Sequence, residues 1–290
     1  MNILYIVMGG DEVLRYYMEA YLSIRTFQKQ LADDDRIFVL TDNPTLFNRA
    51  GVEVLSITQE QKKDWMGPHK FFFRTKIKGM EYLHEHYPND ALLYLDSDTF
   101  LYGDLSKLKG LLEEGKGLMH LNEGMPAGIS NTANRLWKKV VGRQYAGITI
   151  GEGHNMWNAG VVGIPADKAT QTIADALALC DGMLNDGANT FITEQYATSI
   201  SMAQHTTLCE AADAIGHYWS NKAVWEQLAS KILIGAYMKG ASLEEELATL
   251  NIDELRHTPI YVHHSHRGEQ LHALIDRLFP DRGERFVDSN

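Results

Sequence analysis

Two aspartates separated by one residue follow a short apolar stretch in the first third of the chain. Residues 91–95 read Ala-Leu-Leu-Tyr-Leu, and Asp96, Ser97 and Asp98 come directly after them. A short apolar run closed by polar residues is typical of a buried strand in a parallel sheet, and ligands bind beyond the carboxyl ends of such strands. Because strand side chains repeat every two residues, Asp96 and Asp98 are expected to point the same way.

Two carboxylates this close favour a cation between them, because they otherwise repel each other. Mg²⁺ and Mn²⁺ prefer oxygen ligands and commonly bridge carboxylates to phosphates. The alternative interpretation of a bare Asp-x-Asp is a pair of solvated aspartates in a loop. The apolar strand that leads into the motif favours a site for a metal and a diphosphate.

Composition and charge exclude some classes of protein. The chain has 290 residues, enough for one large α/β domain or two small ones, and 44% of them are apolar. The net charge of −11 argues against a nucleic-acid partner, which would require a basic face. The two cysteines, Cys180 and Cys209, do not suggest a disulfide framework and favour a reducing compartment. With neither a signal peptide nor a membrane span visible, the sequence predicts a soluble cytoplasmic protein without an integral membrane segment.

Strand and helix patterns alternate from the start of the chain. Apolar runs at residues 3–8, 36–40 and 52–57 predict three strands, and helical spacing of apolar residues predicts a helix over residues 12–30. Strand, helix, strand is a βα unit of the nucleotide-binding type. A dinucleotide-binding loop is not supported, because acidic residues follow the two glycines after the first strand.

A helix predicted over residues 70–87 leads directly to the Asp-x-Asp strand. Arg74 and Lys78 are four residues apart and share a helical face, whereas Lys76 lies elsewhere on the turn. A solvated basic face is the ordinary explanation of such charges. Their position before the motif makes Arg74 or Lys76 a candidate to contact a nucleotide diphosphate or sugar. The later segment 122–153, rich in Gly, Asn and Thr, is interpreted as the acceptor side of a site, a mobile lid or a surface excursion.

Four motifs occur in a characteristic order within residues 3–225. They are Leu93-Tyr-Leu-Asp-Ser-Asp-Thr99, Trp157-Asn-Ala-Gly-Val161, Glu194-Gln195 and the segment from His217 to Lys222. In this order the chain resembles nucleotide-sugar glycosyltransferases of the GT-A fold, most of all the retaining, glycogenin-like group (glycosyltransferase family 8 and its relatives). The motifs are similar to that group's metal-binding strand, its Phe-Asn-(Ser/Ala)-Gly-Val strand, its Asp-Gln pair and its His…Lys segment.

The resemblance implies an α/β fold with a mostly parallel central sheet flanked by helices. A GT-A catalytic domain would span residues 1–225, and residues 226–290 would be a C-terminal helical extension packed on the same domain. The implied activity is transfer of a hexose, with retention, from a nucleotide sugar that is UDP-linked. The acceptor would be a glycan, a lipid-linked sugar or a small molecule. Mn²⁺ or Mg²⁺ would be held by Asp96, Asp98 and a histidine and would neutralise the donor's diphosphate.

The same resemblance assigns roles to individual side chains. Asp42, at the end of the second strand, would meet the base or ribose of the nucleotide, and Asn158 and Gln195 would line the sugar pocket. Gln195 would stabilise an oxocarbenium-like state in a retaining enzyme, whereas Glu194 would be the general base of an inverting one. The full set implied to bind the nucleotide sugar is Met8, Gly9, Asp42, Arg74, Lys76, Asp96, Ser97 and Lys222.

The third metal ligand has two candidate sources. His217 stands where the family places its histidine, but the family spaces its histidine and lysine differently. In the family, Pro-Trp comes directly after the lysine, whereas in this chain Ala223 and Val224 stand between Lys222 and Trp225. The alternative is a cluster near the C-terminus that consists of His263, His264 and His266. His264 and His266 have the spacing of neighbours on one face of a strand. We expect His217 to be the ligand.

Two other functions fit parts of the pattern. The stretch Asp96-Ser-Asp-Thr99 also fits the Asp-x-Asp-x-Thr motif of haloacid-dehalogenase-type phosphatases, in which Asp96 would be the phosphorylated nucleophile. That family places this strand near the start of its domain and needs a later acidic pair, which we do not find. An inactive module that binds sugar nucleotides or glycans is the other alternative, but it would have no use for a metal that stabilises a leaving group.

Overall fold

A seven-stranded sheet forms the centre of the protein in the computed structural model, which describes residues 1–9, 13–262 and 277–278. The sheet has the strand order β12-β6-β11-β4-β1-β2-β3. The described strands are β1 (Asn2–Val7), β2 (Arg36–Thr41), β3 (Glu53–Ser56), β4 (Leu92–Leu95), β5 (Thr99–Leu101), β6 (Gly117–Met119), β7 (Asn122–Gly124), β8 (Gln144–Tyr145), β9 (Ile148–Thr149), β10 (Met156–Trp157), β11 (Val161–Ile164), β12 (Leu208–Glu210) and β13 (Ile215–His217).

The sheet is mostly parallel, as predicted. Strand β11 runs antiparallel to its neighbours β4 and β6, and the other neighbouring pairs are parallel. The three predicted N-terminal strands are present as β1, β2 and β3. The predicted α/β architecture, a mostly parallel central sheet flanked by helices, is therefore confirmed.

Helices cover both faces of the sheet because its strands are apolar on both sides. In β1, Leu4 faces a core shared with α3, α7 and α8, whereas Ile3 and Tyr5 face a second core shared with α1 and α4. The described helices are α1 (Leu14–Gln28), α2 (Gln59–Met66), α3 (Arg74–His86), α4 (Leu105–Glu113), α5 (Pro126–Ile129), α6 (Asn131–Val140), α7 (Ala166–Asn185), α8 (Thr193–His205), α9 (Lys222–Met238), α10 (Leu243–Thr249) and α11 (Ile252–Arg256).

Two small strand pairs extend the carboxyl end of the sheet. Strand β5 pairs antiparallel with β13, which places His217 opposite Thr99, one residue from Asp98. Strand β7 pairs antiparallel with β10, which places the chain around residue 123 beside the chain around residue 158. These pairings bring segments that are more than 100 and more than 30 residues apart in sequence to one edge of the sheet.

The C-terminal helices pack on the same body as the sheet. Trp225 in α9 is fully buried and stacks on Tyr218, with ring centroids 4.3 Å apart and planes at 5°. Its indole N–H donates to the carbonyl oxygen of Pro259 at 3.0 Å. Leu250 and Leu255 complete this core. The division at residue 225 stays a prediction, and no helix in the described part of the chain is long and apolar enough to cross a membrane.

Replacing Trp225 with alanine is expected to destabilise the protein by about 3–5 kcal/mol, because it leaves a cavity where a buried aromatic ring stacked. Urea unfolding followed by circular dichroism measures this loss. Trp219→Ala is the matched control, since the Trp219 side chain is 53% exposed. Equal losses of stability in the two variants would contradict the packing described here.

Candidate metal centre and adjoining pocket

Two carboxylates and one imidazole meet at the carboxyl end of the sheet. One potential ligand atom from each of Asp96, Asp98 and His217 lies within 4.8 Å of the others. Asp98 and His217 are buried and Asp96 is half-buried. The backbone N–H of Asp96 donates to Gly160 at 2.9 Å, which ties the motif to the chain just before strand β11. Two carboxylates and a neutral imidazole are a donor set that suits Mn²⁺ or Mg²⁺.

The alternative histidine cluster cannot be compared with this arrangement. His263, His264 and His266 lie outside the described residues. Among the described residues, the only group of carboxylates, thiols and imidazoles close enough to hold a metal is the one that contains His217. The choice of His217 as the third ligand therefore stays a prediction, although the structure places His217 close enough to both aspartates to share an ion with them.

A chain of hydrogen bonds sets the tautomer of His217. The backbone N–H of Gly160 donates to Oδ1 of Asn158 at 3.0 Å, so this oxygen end of the amide faces Gly160. Nδ1 of His217 lies 3.0 Å from the same oxygen and must carry the hydrogen that it donates. Nε2 lies 3.2 Å from Asp98 Oδ1, and without an ion it can bond to this carboxylate oxygen only by donating a second hydrogen. An ion held by Asp98 and His217 would take the place of that hydrogen. With Nδ1 engaged by Asn158, Nε2 is the nitrogen that remains to bind a metal.

The glycine of the Asn-Ala-Gly motif makes room for that ring. A Cβ atom built on Gly160 would lie 2.3 Å from Cε1 and 2.5 Å from Nδ1 of His217. Any larger residue would therefore displace the imidazole from this position. The motif supplies both the amide that orients the histidine and the space that it occupies.

Two lysines neutralise the two carboxylates. Nζ of Lys76 lies 2.7 Å from Asp96, and Nζ of Lys222 lies 2.9 Å from Asp98. Burial alone would raise the pKa of Asp98, but His217 and Lys222 together hold it well below its usual range. Burial would also lower the pKa of each lysine, yet attraction to the carboxylates raises it. An ion bound by Asp96 and Asp98 would compete with these two ammonium groups.

A cavity of about 370 Å³ opens beside the carboxylates. Residues expected to bind the nucleotide sugar line it: Met8, Lys76, Asp96, Ser97 and Lys222. Aromatic side chains form other parts of its wall: Tyr16, Phe72, Phe73 and Tyr94. A pocket with apolar walls and a few convergent charges is the usual form of a small-molecule site.

Asp42 lies next to the chain that lines this cavity. It accepts hydrogen bonds from the backbone N–H of Gly9 at 3.2 Å and from the Tyr17 hydroxyl at 2.9 Å, and it pairs with Lys62 at 3.0 Å. Burial would raise the pKa of Asp42, but these partners lower it. Asp42 therefore lies beside Gly9 with its side chain only 3% exposed, and its contact to a base or ribose stays a prediction.

Of the two basic candidates on α3, the structure brings only Lys76 to the carboxylates. Arg74 instead donates to both carboxylate oxygens of Asp181, at 2.7 and 3.0 Å, and to the carbonyl oxygen of Trp65. Two residues along a helix turn through about 200°, so neighbours at this spacing point to nearly opposite sides. Arg74 lines a separate, smaller cavity.

Glu194 and Gln195 open helix α8 close to this group. Glu194 is fully buried and accepts a hydrogen bond from Thr198 at 3.1 Å. Burial raises the pKa of Glu194 to about 7, an effect that nearby Lys76 only partly offsets. Gln195 donates from Nε2 to Glu123 at 3.0 Å, and Asn158 donates to the other oxygen of Glu123 at 3.1 Å.

Two acidic residues of the site escaped the sequence analysis. Glu123 joins Asn158 and Gln195, and buried Glu19 accepts from Ser97 at 3.1 Å and from Lys222 at 3.3 Å. Burial raises the pKa of Glu19. For Glu19 the only signal in the sequence is a charged residue within the buried part of a helix. Glu123 lies in the segment 122–153, for which the acceptor side of a site was one interpretation, but nothing in the sequence singles out this residue.

Comparison with known proteins finds similarity in structure alone. No protein-family model matches the chain, and no curated protein matches its sequence. It is similar to the galactosyltransferase LgtC in complex with donor and acceptor sugar analogues, with 15% identity, a TM-score of 0.48, and coverage of 72% of this chain and 73% of that one. An active-site mutant of LgtC gives 16% identity, a TM-score of 0.47, and coverage of 73% and 72%.

A third similar structure is mouse xyloside xylosyltransferase 1 in its apo form, with 10% identity and a TM-score of 0.47. The match covers 72% of this chain and 85% of that one. All three structures are of glycosyltransferases. At these identities and TM-scores the similarity carries no conclusion about the activity of this chain.

Gly160→Ala is expected to weaken Mn²⁺ binding by about 10- to 100-fold, because the added methyl group displaces the imidazole of His217. Titration of Mn²⁺ followed by electron paramagnetic resonance measures the affinity. Gly128→Ala is the control, since a Cβ at that position meets nothing within 4 Å. An unchanged affinity in Gly160→Ala would exclude His217 from the metal site.

The raised pKa of Glu194 predicts a pH-dependent stability. The native state keeps a proton on Glu194 that the unfolded chain releases between the ordinary pKa of 4.5 and about 7. Stability therefore falls as pH rises through this window, by on the order of 3 kcal/mol. Glu194→Gln should remove this fall, so the variant should be more stable than the native protein at about pH 8 and similar to it at about pH 4.5.

Urea unfolding in EDTA at both pH values tests this expectation, with the exposed Glu210→Gln as control. A stability difference between Glu194→Gln and the native protein that does not change with pH would show that Glu194 does not take up a proton on folding.

Proposed function

We propose that the protein is a metal-dependent glycosyltransferase that moves a hexose from a nucleotide sugar, UDP-linked, to an acceptor with retention at the anomeric carbon. One observation carries the proposal: two carboxylates and an imidazole converge at the edge of a cavity whose wall also holds a lysine paired with each carboxylate. The acceptor belongs to one of three classes, a glycan, a lipid-linked sugar or a small molecule.

Asp96, Asp98 and His217 would hold Mn²⁺ or Mg²⁺, which when bound neutralises the diphosphate and lets the nucleotide leave as a stabilised anion. Lys76 and Lys222 add two positive charges on the same side of the cavity. Both are paired with carboxylates at present, so either could turn to a phosphate oxygen once a cation replaces it.

The remaining part of the donor is assigned to the other predicted residues. Met8 and Gly9, which follow strand β1, would contact the nucleotide. The carboxylate of Asp42 beside them would contact its base or ribose. Ser97 completes the set between the two aspartates. Gln195 would offer its amide to the hexose. Asn158, whose amide is held by Glu123, Gly160 and His217, would line the sugar pocket beside it.

The environment of Glu194 supports retention over inversion. A general base must reach the acceptor hydroxyl, and Glu194 is fully buried and bonded to Thr198 of its own helix. Gln195, the next residue, is half-buried and can present its amide to the sugar. In a retaining transfer, Gln195 stabilises the developing positive charge and no strong base is required beside the acceptor.

Incubation with a panel of UDP- and GDP-hexoses in Mn²⁺ tests the proposal directly. We expect release of free nucleoside diphosphate from at least one donor and none in EDTA. Release of phosphate from a phosphomonoester without nucleotide release would identify a phosphatase. Binding of a sugar nucleotide without turnover of any donor, across acceptors of all three classes, would identify a binding module.

Gln195→Ala is expected to keep its affinity for the donor and to lose turnover by about 10²–10³-fold, because the amide acts mainly in the transition state. Calorimetry with UDP and Mn²⁺ measures binding, and initial rates measure turnover. The anomeric configuration of the product, read by NMR, gives the stereochemistry. An inverted product together with an inactive Glu194→Gln enzyme would contradict retention and identify Glu194 as the general base of an inverting enzyme.

A further inference from the structure

We infer that Glu123 is a positioning residue that fixes the amides of Asn158 and Gln195 and so couples the metal ligand His217 to the sugar side of the site. The inference rests on the proposed function. Its basis is a single carboxylate that accepts both amides, with Oε1 3.1 Å from Nδ2 of Asn158 and Oε2 3.0 Å from Nε2 of Gln195.

Backbone pairing holds this carboxylate in place. Glu123 is the central residue of β7, whose partner β10 ends one residue before Asn158. The backbone N–H of Asn158 donates to Leu121 at 2.9 Å, and the N–H of His120 donates to Asn158 at 3.1 Å. Glu123 and Asn158 thus come from neighbouring segments that backbone hydrogen bonds hold together, whereas Gln195 comes from the first turn of α8.

A carboxylate can only accept hydrogen bonds, so it fixes the orientation of both amides. Asn158 must turn its NH₂ group to Glu123, which leaves its oxygen for Gly160 and for Nδ1 of His217. Gln195 must likewise turn its NH₂ group to Glu123, so its oxygen end points away from the carboxylate. That oxygen is the end of the amide with the electron density to stabilise a developing cation.

One residue therefore serves both halves of the site. On one side, Glu123 supports the tautomer of His217 through Asn158. On the other side, it selects which end of Gln195 is offered to the substrate. A neutral glutamine at position 123 could donate as well as accept, and either amide could then rotate to its opposite orientation.

A double-mutant cycle of Glu123→Gln and Gln195→Ala tests the inference. We expect Glu123→Gln alone to lower kcat by about 10- to 100-fold with little change in the KM for the donor. In the Gln195→Ala background the same substitution should cost less than about 3-fold, since residues that act through one another are not additive. Glu210→Gln is the control: it removes the same charge from strand β12, where Glu210 accepts the backbone N–H of Asn122.

Mn²⁺ affinity is the second measurement, and it does not depend on turnover. Glu123→Gln should weaken Mn²⁺ binding, with a smaller effect in an Asn158→Ala background. Fully additive losses in both cycles, or an equal loss in Glu210→Gln, would overturn the inference. Mn²⁺ binding by the native protein without sugar transfer would refute the proposed function alone, whereas normal transfer and Mn²⁺ affinity in Glu123→Gln would refute this inference alone.

Discussion

Like charge at close range is the constraint on which the rest of the site depends. Asp96 and Asp98 are held at one end of a buried strand, where low exposure strengthens their repulsion. The fold answers with positive or proton-donating groups from three separate elements: Lys76 from α3, His217 from β13 and Lys222 from the start of α9. Each element has to be placed accurately, because a partner that is missing would leave a buried charge uncompensated.

Placement of the imidazole shows how the fold achieves this accuracy. Gly160 lets the ring of His217 lie against the backbone, and Asn158 fixes which nitrogen carries the hydrogen. Both residues precede strand β11, the antiparallel strand inserted between β4 and β6. Since β11 lies beside β4 in the sheet, the motif that orients the histidine is built next to the motif that carries the aspartates.

Local patterns explain how much of this could be predicted from the sequence. The apolar run before Asp96 predicted strand β4 and the position of the two aspartates at its carboxyl end. The strand period expected for Asp96 and Asp98 was wrong, because β4 ends at Leu95 and a turn before β5 carries both aspartates. The choice between Arg74 and Lys76 needed the phase of a helix against the sheet. Glu123 could not be found, because it contacts residues 35 and 72 positions away and follows no local pattern.

The central claim is that a divalent cation joins the two aspartates to a nucleoside diphosphate. Calorimetric titration of UDP into the protein, once with Mn²⁺ and once with EDTA, tests it most directly. We expect tight binding in Mn²⁺ and weak binding in EDTA, because without the ion the carboxylates face the phosphates with like charge. Equal affinity in both conditions would mean that Lys76 and Lys222 hold the diphosphate by themselves, and it would contradict the proposed metal bridge.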